Sequence, residues 1–263
     1  MAKRIYTTPL PEPTQVWRSL HQYEWTVWEE REEIRHPHAL GFPKVFASGQ
    51  EFAIAKNGST ALERAEYAAP TIVVLDTETL PATPDPLSNI ITIDFTAGQT
   101  ARAEDYFADG ILYVKDGTGA GLYFSVSKSE AITTTSTSAK ITIAGEIFAD
   151  DDGDSVLDTT SDVTLVSSIW RNIGQAAATS SFGGIPLDEV SADAYFWLQK
   201  RGPAVGKAAD ANTAIAEGAG LTPAADGTFA AAAAGDPIVA YALEAVTATE
   251  ADAGDHIFAI NLV

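Results

Sequence analysis

The residues whose types and spacing suggest chemistry most directly are acidic. Asp150-Asp151-Asp152-Gly153-Asp154, with Asp158 beyond, places carboxylates at alternating positions. Hard oxygen ligands so spaced are what a calcium loop uses, which makes Asp150, Asp152, Asp154 and Asp158 the candidate metal ligands. The register departs from such a loop in two places. Glycine follows the second ligand instead of the third, and Ser161 stands where a closing glutamate belongs. The preferred reading is therefore an acidic hairpin turn without a metal.

Other groupings carry less. His36-Pro37-His38 brings two imidazoles together, but zinc needs three or four ligands, and the other histidines are remote in sequence. His21 and Glu24 could couple as a general base on a helix, yet no nucleophile or oxyanion hole accompanies them. Asp116-Gly117-Thr118-Gly119-Ala120-Gly121 lacks phosphate-binding spacing and precedes a strand, so it reads as a hairpin turn. Ser180-Ser181-Phe182-Gly183-Gly184 reads as a connector, not a nucleophile elbow. Nothing here calls for a cofactor or for catalysis.

The elements that would position these residues are mostly strands. Thr71–Leu75 is a run of β-branched residues expected to be a buried strand. Further strands are expected at Ile90–Phe95, Ile111–Lys115, Leu122–Val126, Lys140–Phe148 and Val163–Trp170, separated by Asp-Gly turns and the Thr/Ser tract 133–138. Pro81–Pro86 reads as a linker or long turn. The last third is rich in Ala and Gly, with strands at Tyr195–Leu198, Ile238–Leu243 and Ile257–Leu262 and a turn at Arg201-Gly202-Pro203. Ala230–Ala234 is too short to nucleate a helix and reads as strand edge or loop. Pro9, Pro11 and Pro13 predict an extended arm; in residues 14–34 the spacing of Val16, Leu20, Tyr23 and Val27 favours a short helix for the first half, while Tyr23–Val27 also alternates like a strand and leaves the second half open. The expected fold is mainly β: two small sandwich or barrel modules, 67–175 and 176–263, behind an arm or contact segment, 1–66.

Charge separates these regions. The chain of 263 residues carries 36 acidic and 16 basic side chains, a formal net charge of −20. Residues 1–66 hold eight basic and nine acidic of these, whereas residues 67–263 are net −19. Such a surface repels phosphate, so neither nucleic acid nor anionic membrane is an expected partner. There is no cysteine, which excludes disulfides and thiolate chemistry. With no apolar leader and no run long enough to cross a bilayer, the chain is expected to be soluble and made in a cytoplasm. Trp17, Tyr23, Trp25 and Trp28 sit in the charge-balanced segment. They are the candidate contact residues for a shell or a neighbouring subunit, with core packing an equal reading.

Beyond residue 95 the order of patterns resembles a known family. Ala97–Thr100, Asp105–Val114, Gly119–Val126, Lys140–Ile143, Leu157 and Val163–Leu165 are similar to a first β module of phage structural proteins. Gly184–Leu187, Tyr195–Ala204 and Ala242–Ala245 resemble a decoration domain. The resemblance, to tailed-bacteriophage capsid decoration (cement) proteins, implies a non-enzymatic virion protein on the capsid exterior. Its implied partners are the major capsid protein and its own copies, as a homotrimer. An alternative is a head-fibre or adhesion module in which Tyr195 or Trp197 stacks on surface glycans. An enzyme with paired carboxylates, such as a polysaccharide hydrolase, is the third reading.

Overall fold

The computed structural model describes residues 40–176, 183–209, 214–247 and 255–261. The chain is mainly β, as expected. β1 (Pro43–Val45), β2 (Glu51–Lys56) and β3 (Ala68–Pro70) come first. They are followed by β4 (Val74–Thr79), β5 (Ile90–Asp94), β6 (Ile111–Asp116), β7 (Tyr123–Ser129), β8 (Ser138–Ile143) and β9 (Asp162–Val166). β10 (Ile173–Gln175), β11 (Ile185–Pro186), β12 (Tyr195–Lys207), β13 (Gly220–Pro223), β14 (Phe229–Ala231), β15 (Ala240–Ala242) and β16 (Asp255–Asn261) complete the order.

Residues Ile72–Arg171 form one compact unit. Its six strands close into an antiparallel barrel in the order β4-β5-β8-β7-β6-β9. Period-two alternation explains the closure. In β6, Leu112 and Val114 turn inward, and in β8 Ala139, Ile141 and Ile143 do the same, while the intervening residues face out. A barrel this small has no lumen, so Ile91, Ile93, Phe124, Val126, Val163 and Leu165 fill the interior, with Phe107, Ile132, Ile147 and Leu157 completing the core. Burying each such side chain contributes about 1.5–3 kcal/mol before conformational entropy is subtracted. Thr71–Leu75 departs from expectation. Strand pairing starts at Val74, Ile72 and Val74 are exposed, and Leu75 alone turns fully into the core, because only one face of a barrel strand is inside. Pro81–Pro86 lies within this unit and does not separate two domains.

The second unit is drawn from both sides of the barrel segment, up to Thr71 and from Asn172 onward. Its main sheet runs β1-β2-β12-β16-β15-β13-β14, and a bridge between Ala208 and Phe229 returns β14 to the end of β12, curling the sheet on itself. The expected division at residue 66 is therefore not where the described chain divides. β2 pairs along β12 from Lys56↔Tyr195 to Glu51↔Arg201, so residues 43–56 are sheet and not arm. Both faces of β2 are buried, Phe52 and Ile54 on one and Ala53 and Ala55 on the other.

Arg201-Gly202-Pro203, expected as a turn, is instead a bend inside β12. The register slips between Gln199 and Arg201, and Gly202 takes φ +89 with its missing Cβ aimed 2.8 Å from the Gly49 carbonyl oxygen. The Gln199 amide donates to the carbonyls of Arg201 and Pro203, and the Gln50 amide also donates to Pro203. With those carbonyls satisfied, the strand continues and pairs with β16. The Ala/Gly composition has a packing cause. Tyr67, Phe229 and Phe258 meet edge to face at 5.6 and 5.1 Å, and Ala204, Ala208, Ala240 and Ala242 make room for them. A Cβ on Gly206 would lie 2.8 Å from ring atoms of both Phe229 and Phe258.

Candidate functional site

The four N-terminal contact candidates, Trp17, Tyr23, Trp25 and Trp28, lie outside the described residues, as do His21, His36 and His38. The acidic cluster is described, and it is a hairpin turn. Asp150 N–H donates to the Asp154 carbonyl, and Ala149 bridges Ser155. Gly153 supplies the φ of +84 that closes the turn. The Asp150 carboxylate accepts from the backbone N–H groups of Asp152 and Asp154, so it caps its own turn. Asp158 is occupied elsewhere. It accepts from the Thr160 hydroxyl and N–H and from the Thr118 hydroxyl, contacts that hold its carboxyl below the ordinary aspartate range. Among the described residues no three His, Asp or Glu side chains converge as a metal site would require.

A connected ionic group lies in the other unit. Lys207 Nζ lies 2.6 Å from Glu63 and 2.9 Å from Glu66, and Gln175 Nε2 donates to the second Glu66 oxygen at 2.7 Å. Burial pulls the Lys207 value down, but the two carboxylates outweigh it and hold the amine above its ordinary value. The Lys207 hydrogen bond in turn holds Glu63 low. An amine kept as ammonium is no nucleophile, so this cluster ties residues 63–67 to β12 rather than performing chemistry. Glu78 differs: it is buried in β4, and burial, aided by the Asp76 charge, pushes its carboxyl above the ordinary range.

Trp197 is 3% exposed and packs with Phe46, Phe52 and Ile54, so it is not free to stack on a sugar. Lys44 Nζ sits 5.4 Å from its ring centroid. Tyr195 is half-buried beneath Lys56 Nζ at 5.3 Å. Among the described residues no helix is long and apolar enough to cross a membrane.

The feature that sequence reading missed is the outer face of the barrel. Cross-strand register aligns Val74, Val166 and Ile111 in one row and Thr164, Tyr113 and Tyr123 in the next. Tyr123 is 72% exposed, and Val74, Ile111 and Tyr113 are also exposed. One end of this face is polar and internally paired. Lys115 Nζ reaches both Asp76 oxygens at 2.9 and 3.0 Å, and the Thr164 hydroxyl donates to Asp76 at 2.7 Å. Those contacts, the Thr164 bond first, hold Asp76 below its ordinary range. The signal was present in the sequence: Ile111-Leu112-Tyr113-Val114 is apolar at every position, which marks a strand covered on both faces. A small closed barrel covers only one. The second unit has a comparable stripe, where Val205 pairs with Ile257 across β12 and β16 and Tyr241 and Leu243 are exposed nearby in sequence on and after β15.

A search of protein-family models, of curated proteins and of solved structures found no match to this chain.

Proposed function

We propose that this protein is a non-enzymatic structural component of a tailed-bacteriophage particle. It binds the outer shell beside the major capsid protein and stabilises it, as a homotrimer. The observation that supports this reading best is the pairing of an acidic body with exposed apolar sheet faces in both units. Apolar outward faces favour docking, since contiguous exposed patches mark interaction surfaces. A strong single-sign charge elsewhere keeps particles apart in solution. A shell offers many identical sites, so modest individual contacts reinforce it collectively.

The test is biochemical. The protein should co-purify with intact particles, and particles stripped of it should lose resistance to heat and osmotic shock and regain it on add-back. Stripped particles as robust as intact ones would overturn the reading. The adhesion alternative now has a different location, because Tyr113 and Tyr123 are exposed where Trp197 is not. Saturable binding on a glycan array, lost in Tyr123→Ala, would favour it instead.

A further inference from the structure

We infer that the outer face of β4, β9, β6 and β7 is the docking surface, and that it fits a protein surface with an apolar centre and a lysine or arginine at its edge. The inference rests on the shell-binding reading for the identity of the partner and adds which face is used and what it meets.

Two observations carry it beyond exposure alone. The first is a contrast within one barrel. On the opposite side, β5 and β8 present Thr92, Lys140, Thr142 and Ser138 outward, the ordinary wet face of an antiparallel sheet, with Ile90 the one large apolar member. On β4, β9, β6 and β7 the outward positions include Val74, Val166, Ile111, Tyr113 and Tyr123, which adjoin by register, with Ser125 across from Ile111 and Thr164 across from Tyr113 among them.

The second is electrostatic. Where the apolar rows end, Asp116 of β6 stands directly across from Asp162 of β9. Like charges at opposed cross-strand positions destabilise a sheet. The Asp116 carboxylate accepts from Gly117 N–H, and no described basic residue forms an ion pair with it or with Asp162, Lys115, next in sequence, being engaged by Asp76. A cation supplied from outside would find two carboxylates without an ion-pair partner there, and a dry apolar contact beside it would strengthen the pairing. The same charges argue against a second copy as the occupant. Residues 72–171 carry 16 acidic and five basic side chains, and two such faces brought together would juxtapose two Asp116–Asp162 pairs.

The experiment is binding of the full chain to purified particles stripped of it, with three variants checked for native melting. Ile111→Ser/Tyr113→Ser removes the apolar centre, Asp116→Lys/Asp162→Lys reverses the edge charge, and Lys140→Ser alters the opposite face. The first two should weaken binding by about tenfold or more, as loss of central contacts does. The charge reversal should also flatten the salt dependence of binding, and Lys140→Ser should bind as the native chain does. If native protein binds and both face variants bind equally well, the face assignment is wrong while shell binding stands. If native protein does not bind, both readings fall. If the face variants change the sedimentation coefficient instead of particle binding, the face joins copies of this chain and the partner assignment is overturned.

Discussion

The barrel takes its six strands from one continuous segment and makes three of its six pairings between successive strands, whereas the other unit collects its sheet from segments on both sides of residues 72–171. Barrel pairings such as β6–β7 and β7–β8 are hairpins between successive strands. In the other unit, β2 must find β12, and the Asn57 amide donates to the Ser191 carbonyl, 134 positions away. Local pairings close small loops and form early, while long-range ones must wait for the chain to be organised. The cores differ to match. The barrel is filled by Ile, Leu and Val from every strand, whereas the second unit sets the rings of Tyr67, Phe229 and Phe258 among alanines, with Ile185, Ile215, Leu221 and Ile260 around them and a second cluster of Phe46, Phe52, Ile54 and Trp197. Truncating one ring of that trio should therefore be among the costliest changes in the second unit.

The largest expected effect lies there. Phe258→Ala removes the ring in contact with Phe229 and should cost about 3–5 kcal/mol. Hydrogen exchange read peptide by peptide should then show lost protection in β2, β12 and β16 with β6, β7 and β8 still protected. Uniform loss across both units would break the comparison.

Asn57→Ala should come next. Its side chain donates to the carbonyls of Thr60 and Ser191 and accepts from Gly58 N–H, and it is 1% exposed. Leaving those groups unsatisfied should cost about 2–4 kcal/mol, read as a lower urea midpoint for the second unit alone.

Within the barrel, Gly117→Ala tests the hairpin that joins β6 and β7. Gly117 has φ +76, and a Cβ would meet the Thr160 carbonyl oxygen at 1.8 Å. About 1–3 kcal/mol should be lost from the barrel transition, and an unchanged transition would mean that this turn does not set the barrel's stability.

The smallest effect is one of pH. Burial raises the Glu78 carboxyl above its ordinary value, so folding takes up a proton there. The unfavourable contribution of the ionised group is absent below the unfolded value and sets in as pH rises through the folded one. Glu78→Gln should thus raise Tm at neutral pH by a few degrees and leave it unchanged in acid. Asp158 works in the opposite sense. Its lowered value adds stability above the unfolded value, and that stability is lost as pH falls through the folded one.

Alternation made much of the barrel legible in the sequence. In Ile90–Phe95 the residues Ile91, Ile93 and Phe95 alternate with Thr92 and Asp94, and Asp-Gly pairs at 109–110 and 116–117 bracket Ile111–Lys115. β2 was not legible, since Phe52-Ala53-Ile54-Ala55 gives a two-faced burial pattern that only its neighbours explain. Nor was the continuation of β12 through Gly202 and Pro203, which depends on amides from Gln50 and Gln199. The acidic turn at Asp150–Asp154 followed from the turn chemistry of Asp and Gly. The exposed apolar face did not, because a strand apolar at every position looks the same whether its second side meets a core or a partner.

The proposed role is tested most directly by a particle reconstruction that locates this chain. Density for it should lie on the outer shell, in threefold groups, with Tyr113 and Tyr123 turned toward the major capsid protein and a basic residue beside Asp116 and Asp162. Its absence from the particle, or its placement in the tail with that face open to solvent, would contradict the account.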